Sequence, residues 1–207
     1  MKRRYFLKLG LAGIGTIALA DNSWALKYYP RPFDKKCAVL YGTWCGSSRD
    51  AAVWISEGMG GIADVFDVRE NPDLKGFDHI VIGGSIRNMV TPKELQDYIT
   101  KNKEWLKPKV RGLFAICGNR EKPVGPQQTT MFIDNHLAKL CEISNIHSRV
   151  FNGRITKDLL EPDVAKMMEE RYPKMTGKPL EDYDFLKRSD CMAFGKEVLR
   201  KIGDVVD

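Results

Sequence analysis

No uninterrupted apolar stretch in this 207-residue chain reaches the roughly 18 residues of a membrane-spanning helix, so the sequence contains no clear span. Histidine is scarce. His79, His136 and His147 stand far apart in the sequence, which favours solvated or core imidazoles over a metal site. The five cysteines, Cys37, Cys45, Cys117, Cys141 and Cys191, are odd in number and lack paired metal spacing. They read as mostly free, packed thiols. Neither the Gly-Lys-Ser/Thr pairing of a nucleoside triphosphate loop nor the spacing of a dinucleotide GxGxxG loop occurs. Internal repeats and low-complexity tracts are absent as well. Acidic residues are missing from the first twenty positions, which hold Lys2, Arg3, Arg4 and Lys8. Without that segment the formal charge falls from +6 to +2, with 29 basic against 27 acidic residues. The basicity therefore belongs to the N-terminus and does not describe a nucleic-acid-binding face.

What is present fits a soluble globular protein. Hydrophobic residues make up 43% and charged residues 29%, which allows a core and argues against a disordered or collagen-like chain. The length suits one ordinary domain with decoration. The first 25 residues read as an export signal followed by a linker. Met1–Lys8 is cationic, Leu9–Ala20 is a run of twelve uncharged and mainly apolar residues, and Ala18-Leu19-Ala20 offers small residues two apart. Arg3-Arg4-Tyr5-Phe6-Leu7-Lys8 resembles a twin-arginine motif, with Lys2 where Ser or Thr is usual. Ser23-Trp24-Ala25 is a second candidate cleavage site, which leaves two positions open for the mature N-terminus. A twin-arginine passenger folds in the cytosol, often around a cofactor, and then works in the periplasm.

Beyond the linker Asp21–Lys35, short apolar runs alternate with amphipathic stretches. Strands are expected at Cys37–Tyr41, Ala63–Val68, His79–Ile82, Leu113–Cys117 and Ser148–Phe151. Helices are expected at Ser48–Gly58, Pro92–Leu106, Gln127–Cys141 and Asp184–Ile202, each with an apolar stripe at helical spacing. Continuous apolar strands separated by helices imply a parallel sheet covered on both faces, an open doubly wound α/β fold. Asn152–Tyr183 breaks the alternation. It holds a charged helical patch, Pro162–Tyr172, and reads as an insertion packed beside the sheet.

The most informative stretch is Tyr41-Gly42-Thr43-Trp44-Cys45-Gly46-Ser47-Ser48-Arg49, between the first strand and the first helix. Hydroxyls at Thr43, Ser47 and Ser48 surround Gly46. At a helix N-terminus, backbone amides and the helix dipole converge on one spot and can hold a phosphate without lysine. Two further strands run into Gly83-Gly84-Ser85-Ile86-Arg87-Asn88 and Gly118-Asn119-Arg120. With strand order 2-1-3-4-5, these loops border the crevice where the strand order reverses.

At these residues the chain resembles the flavodoxin-like superfamily. Its phosphate loop matches at Thr43 and Gly46 and conservatively at Ser48, while Cys45 replaces the usual Thr. Asp78-His79-Ile80-Val81-Ile82-Gly83-Gly84-Ser85-Ile86-Arg87, the Pro/Gln-rich entry Lys122–Thr129 and the insertion are most similar to flavodoxin-domain proteins related to menaquinone-dependent protoporphyrinogen dehydrogenase. The resemblance implies a flavodoxin-like FMN-binding domain over residues 36–203, with the insertion at about 152–183. It also implies that Thr43, Cys45, Gly46, Ser47 and Ser48 cradle the FMN phosphate. Gly84, Ser85, Ile86, Arg87 and Asn88, with Cys117, Gly118 and Asn119, would border the isoalloxazine. Neither ring loop carries an aromatic residue, which leaves Trp44 as the stacking candidate.

Trp44-Cys45-Gly46 is also similar to a thioredoxin active site, but Ser48 stands where a second Cys is needed, so only a monothiol role is open to Cys45. A helix N-terminus would lower its pKa; the plainer reading is a substitute for a hydroxyl. Arg87 and Arg120 are either surface charges or groups that favour reduced, anionic flavin or bind an acidic substrate, with Arg87 better placed. Arg87 and Cys45 are thus the catalytic candidates. Three functions follow: an FMN oxidoreductase in the cell envelope, an electron carrier without a substrate pocket, or a flavin-free binding protein. The expected partners are a redox protein or a quinone, with peripheral membrane contact through the insertion also open and no nucleic acid.

Overall fold

The computed structural model describes residues 34–118 and 126–203, apart from the side chains of residues 175 and 176. The expected export signal, most of the expected linker, Asn119, Arg120 and much of Lys122–Thr129 lie outside the described residues. Strand β1 (Cys37–Gly42) leads into helix α1 (Ser47–Gly58), β2 (Ala63–Asp67), β3 (His79–Ser85), α2 (Lys93–Leu106) and β4 (Val110–Cys117). Helix α3 follows, composed of Pro126–Thr129, Thr130–Ala138 and Lys139–Cys141, then β5 (Ser148–Asn152), the small strand β6 (Arg154–Ile155), α4 (Pro162–Thr176), β7 (Tyr183–Asp184) and α5 (Arg188–Gly203). The five long strands form one parallel sheet ordered β2-β1-β3-β4-β5: the alternation implied a doubly wound parallel sheet, and the order is the one expected of the flavodoxin-like fold.

Every residue of β1 and β3 is buried, as strands covered on both faces require. Alternating side chains feed two cores. Leu40, Ile80, Ile82 and Leu113 face Leu95, Ile99, Ile133 and Leu137 of α2 and α3. Val39, Val81, Phe114 and Ile116 face Ala52, Ile55, Phe194 and Val198 of α1 and α5. Helices α1 and α5 touch through glycines. A Cβ on Gly195 would lie 2.1 Å from the Ile55 carbonyl oxygen, and one on Gly58 would lie 2.2 Å from that of Met192. Among the described residues, no helix is long and apolar enough to cross a membrane.

Several boundaries differ from the expected ones. β3 continues through Gly83-Gly84 to Ser85, because β1 and β4 supply ladder partners on both sides. β4 starts at Val110, where a register shift opposite Ile80/Val81 absorbs Arg111. β2 ends at Asp67, whose carboxylate accepts the Arg69 amide and turns the chain into a short 3₁₀ segment. The last helix starts at Arg188, and Asp184 lies in β7 instead, paired antiparallel with Arg154. The Asp184 carboxylate accepts the Leu186 N–H and holds the chain in a turn before the helix. Periodicity does not register so short a pair. Helix α3 is unusual. It has α geometry at Pro126–Thr129 and Lys139–Cys141, with a π-helix over Thr130–Ala138 between them.

Candidate functional site

Residue Gly46 ends the β1–α1 loop at φ 81°, a left-handed conformation that a side chain resists and glycine accepts freely. Its N–H donates to Thr43 Oγ1 at 3.0 Å, closing the turn. Its carbonyl accepts the amides of Arg49 and Asp50. The helix leaves the amides of its first residues, Ser47 and Ser48, to other partners. Asp50, an acid in that first turn, is neutralised by Arg49 at 3.2 Å and by Arg154 at 2.6 Å. A Cβ on Gly46 would meet nothing within 4 Å, so the turn opens onto free space. A helix N-terminus with its carboxylate masked suits an anion.

The neighbouring loops are tied to this one. The Ser48 and Ser85 hydroxyls share a buried 2.6 Å hydrogen bond between α1 and the end of β3. Ile86 N–H donates to Ile116 O at 2.7 Å, joining the loop after β3 to β4. The loops after β1, β3 and β4 thereby converge on one cavity of about 310 Å³, at the lower end of the size range of small-molecule sites. Of the sequence-derived residues, Trp44, Cys45, Ser47, Ser85, Ile86, Arg87, Asn88, Cys117 and Gly118 line it. Thr43, Gly46, Ser48 and Gly84 shape the loops from outside its wall. The Thr43 and Ser48 hydroxyls are engaged within the protein, so Ser47 supplies the hydroxyl facing the cavity. Asn119 lies outside the described residues.

The insertion supplies a further wall, the roof of the crevice. Ile155, Leu160, Val164, Met167, Met168 and Tyr172 give it an apolar surface, and Arg154 and Arg171 add charge. Val164, Met167, Met168, Arg171 and Tyr172 fall on one stripe of α4 at helical spacing. The charged helical patch carried this signal in Val164, Met167 and Met168, but sequence alone did not say which neighbour that stripe would face. Two arginines anchor the roof. Arg154 lies 2.6 Å from Asp50 Oδ2 and 3.1 Å from Asp184 Oδ2. Arg87 lies 3.4 Å from Glu161 Oε2, just before α4. Tyr183 Oη donates to Gly118 O at 2.9 Å and fixes the loop after β4.

Arg87 also lies over the Trp44 ring, 4.5 Å from its centroid. Trp44 thus faces a guanidinium. Cys45 is the one half-buried thiol; Cys37, Cys117, Cys141 and Cys191 are buried. Burial pushes the Cys45 thiol up. Arg87 opposes that rise and Glu161 adds to it. Among the described residues, no group of three or more His, Cys, Asp or Glu side chains is placed to hold a metal ion.

An open 2-1-3-4-5 sheet with its cavity at the strand-order reversal defines a flavodoxin-like protein. Residues 38–181 match the family model for the flavodoxin domain, and the chain belongs to that family. Among solved structures it is similar to rubredoxin oxygen:oxidoreductase from Desulfovibrio gigas, with a TM-score of 0.50 and 10% identity over 87% of this chain and 39% of that one. A flavodiiron core from Synechocystis gives 0.46 and 12% over 83% and 36%. Oxidised flavodoxin 1 from Bacillus cereus gives 0.48 and 14% over 80% and 97%. The chain spans little more than a third of the first two and nearly all of the third. At these identities the likeness is one of fold. No curated protein matches the sequence.

Proposed function

We propose that this chain binds FMN in the roofed crevice and works as an FMN-dependent oxidoreductase exported to the periplasm by the twin-arginine route. The observation that carries the reading is the convergence of an open helix N-terminus and a largely apolar cavity at the strand-order reversal. The Ser47 and Ser48 amides and the Ser47 hydroxyl would hold the phosphate. Ile86, Arg87, Asn88, Cys117 and Gly118 would border the ring, with Met167, Met168 and Tyr172 across from them. Bound there, FMN supplies one- and two-electron chemistry. The protein's part is to orient it, exclude water with the apolar roof and set positive charge beside it through Arg87. That charge favours an anionic reduced state. We place the chain near the flavodoxin-domain proteins related to menaquinone-dependent protoporphyrinogen dehydrogenase. Export argues against protoporphyrinogen as the substrate, since it moves the chain away from that relative's compartment. A quinone or a periplasmic redox protein is the proposed partner.

A second reading, a plain electron carrier, is disfavoured by the insertion, because a minimal carrier has no added segment lining its crevice. The test is an absorption spectrum of the natively exported protein, followed by anaerobic reduction with candidate donors. A yellow protein that reduces reversibly supports the proposal. A colourless protein that fails to take up added FMN overturns it and leaves a flavin-free binding protein.

A further inference from the structure

Arg87 and Val90 close a tight turn, with Arg87 N–H donating to Val90 O at 2.9 Å and Val90 N–H to Arg87 O at 3.1 Å. Its central residues, Asn88 and Met89, have φ of 51° and 72°. Two successive left-handed residues make a type I′ turn, which asparagine and glycine accept. Met89 has no such licence, and a left-handed backbone at a residue of this bulk is strained. Strain of this kind persists only where the surroundings fix it. Arg87 and Asn88 both line the cavity, so the shape of the wall depends on whatever fixes this turn.

Thr91, which follows the turn and is 1% exposed, is held at three points. Gln96 Nε2 donates to its carbonyl at 2.6 Å. His136 Nε2 lies 3.0 Å from its backbone nitrogen and 2.9 Å from its hydroxyl. A backbone N–H can only donate. His136 Nε2 is therefore an acceptor, the proton of the neutral ring sits on Nδ1, and the hydroxyl shares the same lone pair. His136 belongs to the nine-residue π-helix of α3, a rare geometry found mostly at functional sites.

We propose that His136 is a positioning residue: its imidazole fixes the Arg87–Val90 turn through Thr91, and its protonation releases that turn and weakens the cavity's hold on a ligand. A protonated ring puts an N–H against the Thr91 N–H, donor against donor, and the clamp on the strained turn is lost. Arg87 then leaves the face of Trp44. Burial alone holds the imidazole below its ordinary basicity. Charged residues on the elements around it include Arg87 in the turn, Lys93, Glu94 and Asp97 on α2, Arg111 on β4, Arg149 on β5, and Asp134 and Lys139 on its own helix. The flavin measurement below rests on the function proposed above; the tryptophan measurement does not.

The test compares the full chain with its His136→Gln and His136→Leu variants at about pH 7.5 and about pH 5, either side of the imidazole range. One readout is the indole N–H resonance of Trp44 without added flavin. The other is FMN affinity by fluorescence titration. On acidification the native chain should shift its Trp44 resonance and lose roughly fivefold or more in affinity, the low end of usual site-to-site coupling. Glutamine keeps an acceptor oxygen and cannot protonate. His136→Gln should therefore match the native chain at neutral pH and show neither acid effect. His136→Leu should show the acid-type Trp44 resonance already at neutral pH. The proposal is overturned if native and His136→Gln chains respond alike to acid, or if a folded His136→Gln displaces Trp44 at neutral pH. If His136→Leu does not fold, the glutamine comparison decides. If the native chain binds no FMN at neutral pH, the function proposal fails and the Trp44 resonance alone judges His136.

Discussion

The guanidinium carbon of Arg87 lies 4.5 Å from the centroid of the Trp44 ring, and the same guanidinium reaches Glu161 Oε2 at 3.4 Å. One side chain thus joins the loop after β1, the loop after β3 and the roof over the crevice. A partly exposed cation–π pair is worth about 0.5–1 kcal/mol. A double-mutant cycle of Trp44→Ala and Arg87→Ala, read by urea unfolding, should return a coupling of that size. Strictly additive losses would show that the contact contributes nothing.

Helices α1 and α5 meet where neither Gly58 nor Gly195 has room for a Cβ. At Gly195 the obstacle is backbone, the Ile55 carbonyl oxygen at 2.1 Å, so no rotamer change relieves it. Gly195→Ala gains about 1 kcal/mol of helix propensity and must force the helices apart. Overpacking typically costs about 1–3 kcal/mol, and more where backbone has to move. The net expectation is a loss of about 2 kcal/mol in chemical denaturation. A variant as stable as the native chain would show that the two helices are not in contact there.

Cys45 should be the first thiol to react in the folded chain, yet a sluggish one. Burial raises its pKa, and the buried Cys141 and Cys191 are pushed further, to about 12. Iodoacetamide at neutral pH should place a single adduct on Cys45, located by mass spectrometry, more slowly than on free cysteine. Arg87→Ala removes the charge that opposes the rise and should slow the reaction again. Modification faster than that of free cysteine would show a thiolate that burial does not disfavour.

Acid should weaken the fold before any carboxylate titrates. Burial is the leading cause that lowers the pKa of His79, His136 and His147 below the ordinary 6.5. At His147, Lys201 and Arg149 lower it further while Glu197 opposes; at His79, Arg111 and Lys35 lower it while Asp78 opposes. A group with a depressed folded pKa binds its proton more readily in the unfolded chain. Its stabilising share is complete above 6.5 and is lost as pH falls from there through the lowered folded value. Urea midpoints should decline over that window, and a midpoint flat down to the carboxylate range would contradict it.

Legibility in the sequence followed periodicity. Strands that are apolar throughout and helices with a regular stripe declared the doubly wound sheet and the glycine-bearing loops that follow its strands, while the strand order came with the flavodoxin-like resemblance. Boundaries failed where local chemistry overrode the pattern. The Asp184 carboxylate capturing the Leu186 amide is such a place, and a two-residue strand pair such as β6 and β7 has no period to detect. The π-helix of α3 was invisible for a related reason: its buried residues, Phe132, Ile133, Leu137 and Ala138, fit an α-helical stripe nearly as well.

The sequence by itself determined the class of fold and the three loops that meet at the cavity, because both rest on local patterning and on a strand order that admits few alternatives. Only the tertiary structure decided what closes the cavity. Met167, Met168 and Tyr172 reach it from a helix more than 75 positions beyond Arg87. Arg87 found its partners in Trp44 and Glu161, and His136 found Thr91, through contacts that no spacing encodes. Side-chain direction and long-range charge pairing are properties of the packed chain, and they exist only once the sheet, its helices and the insertion have come together.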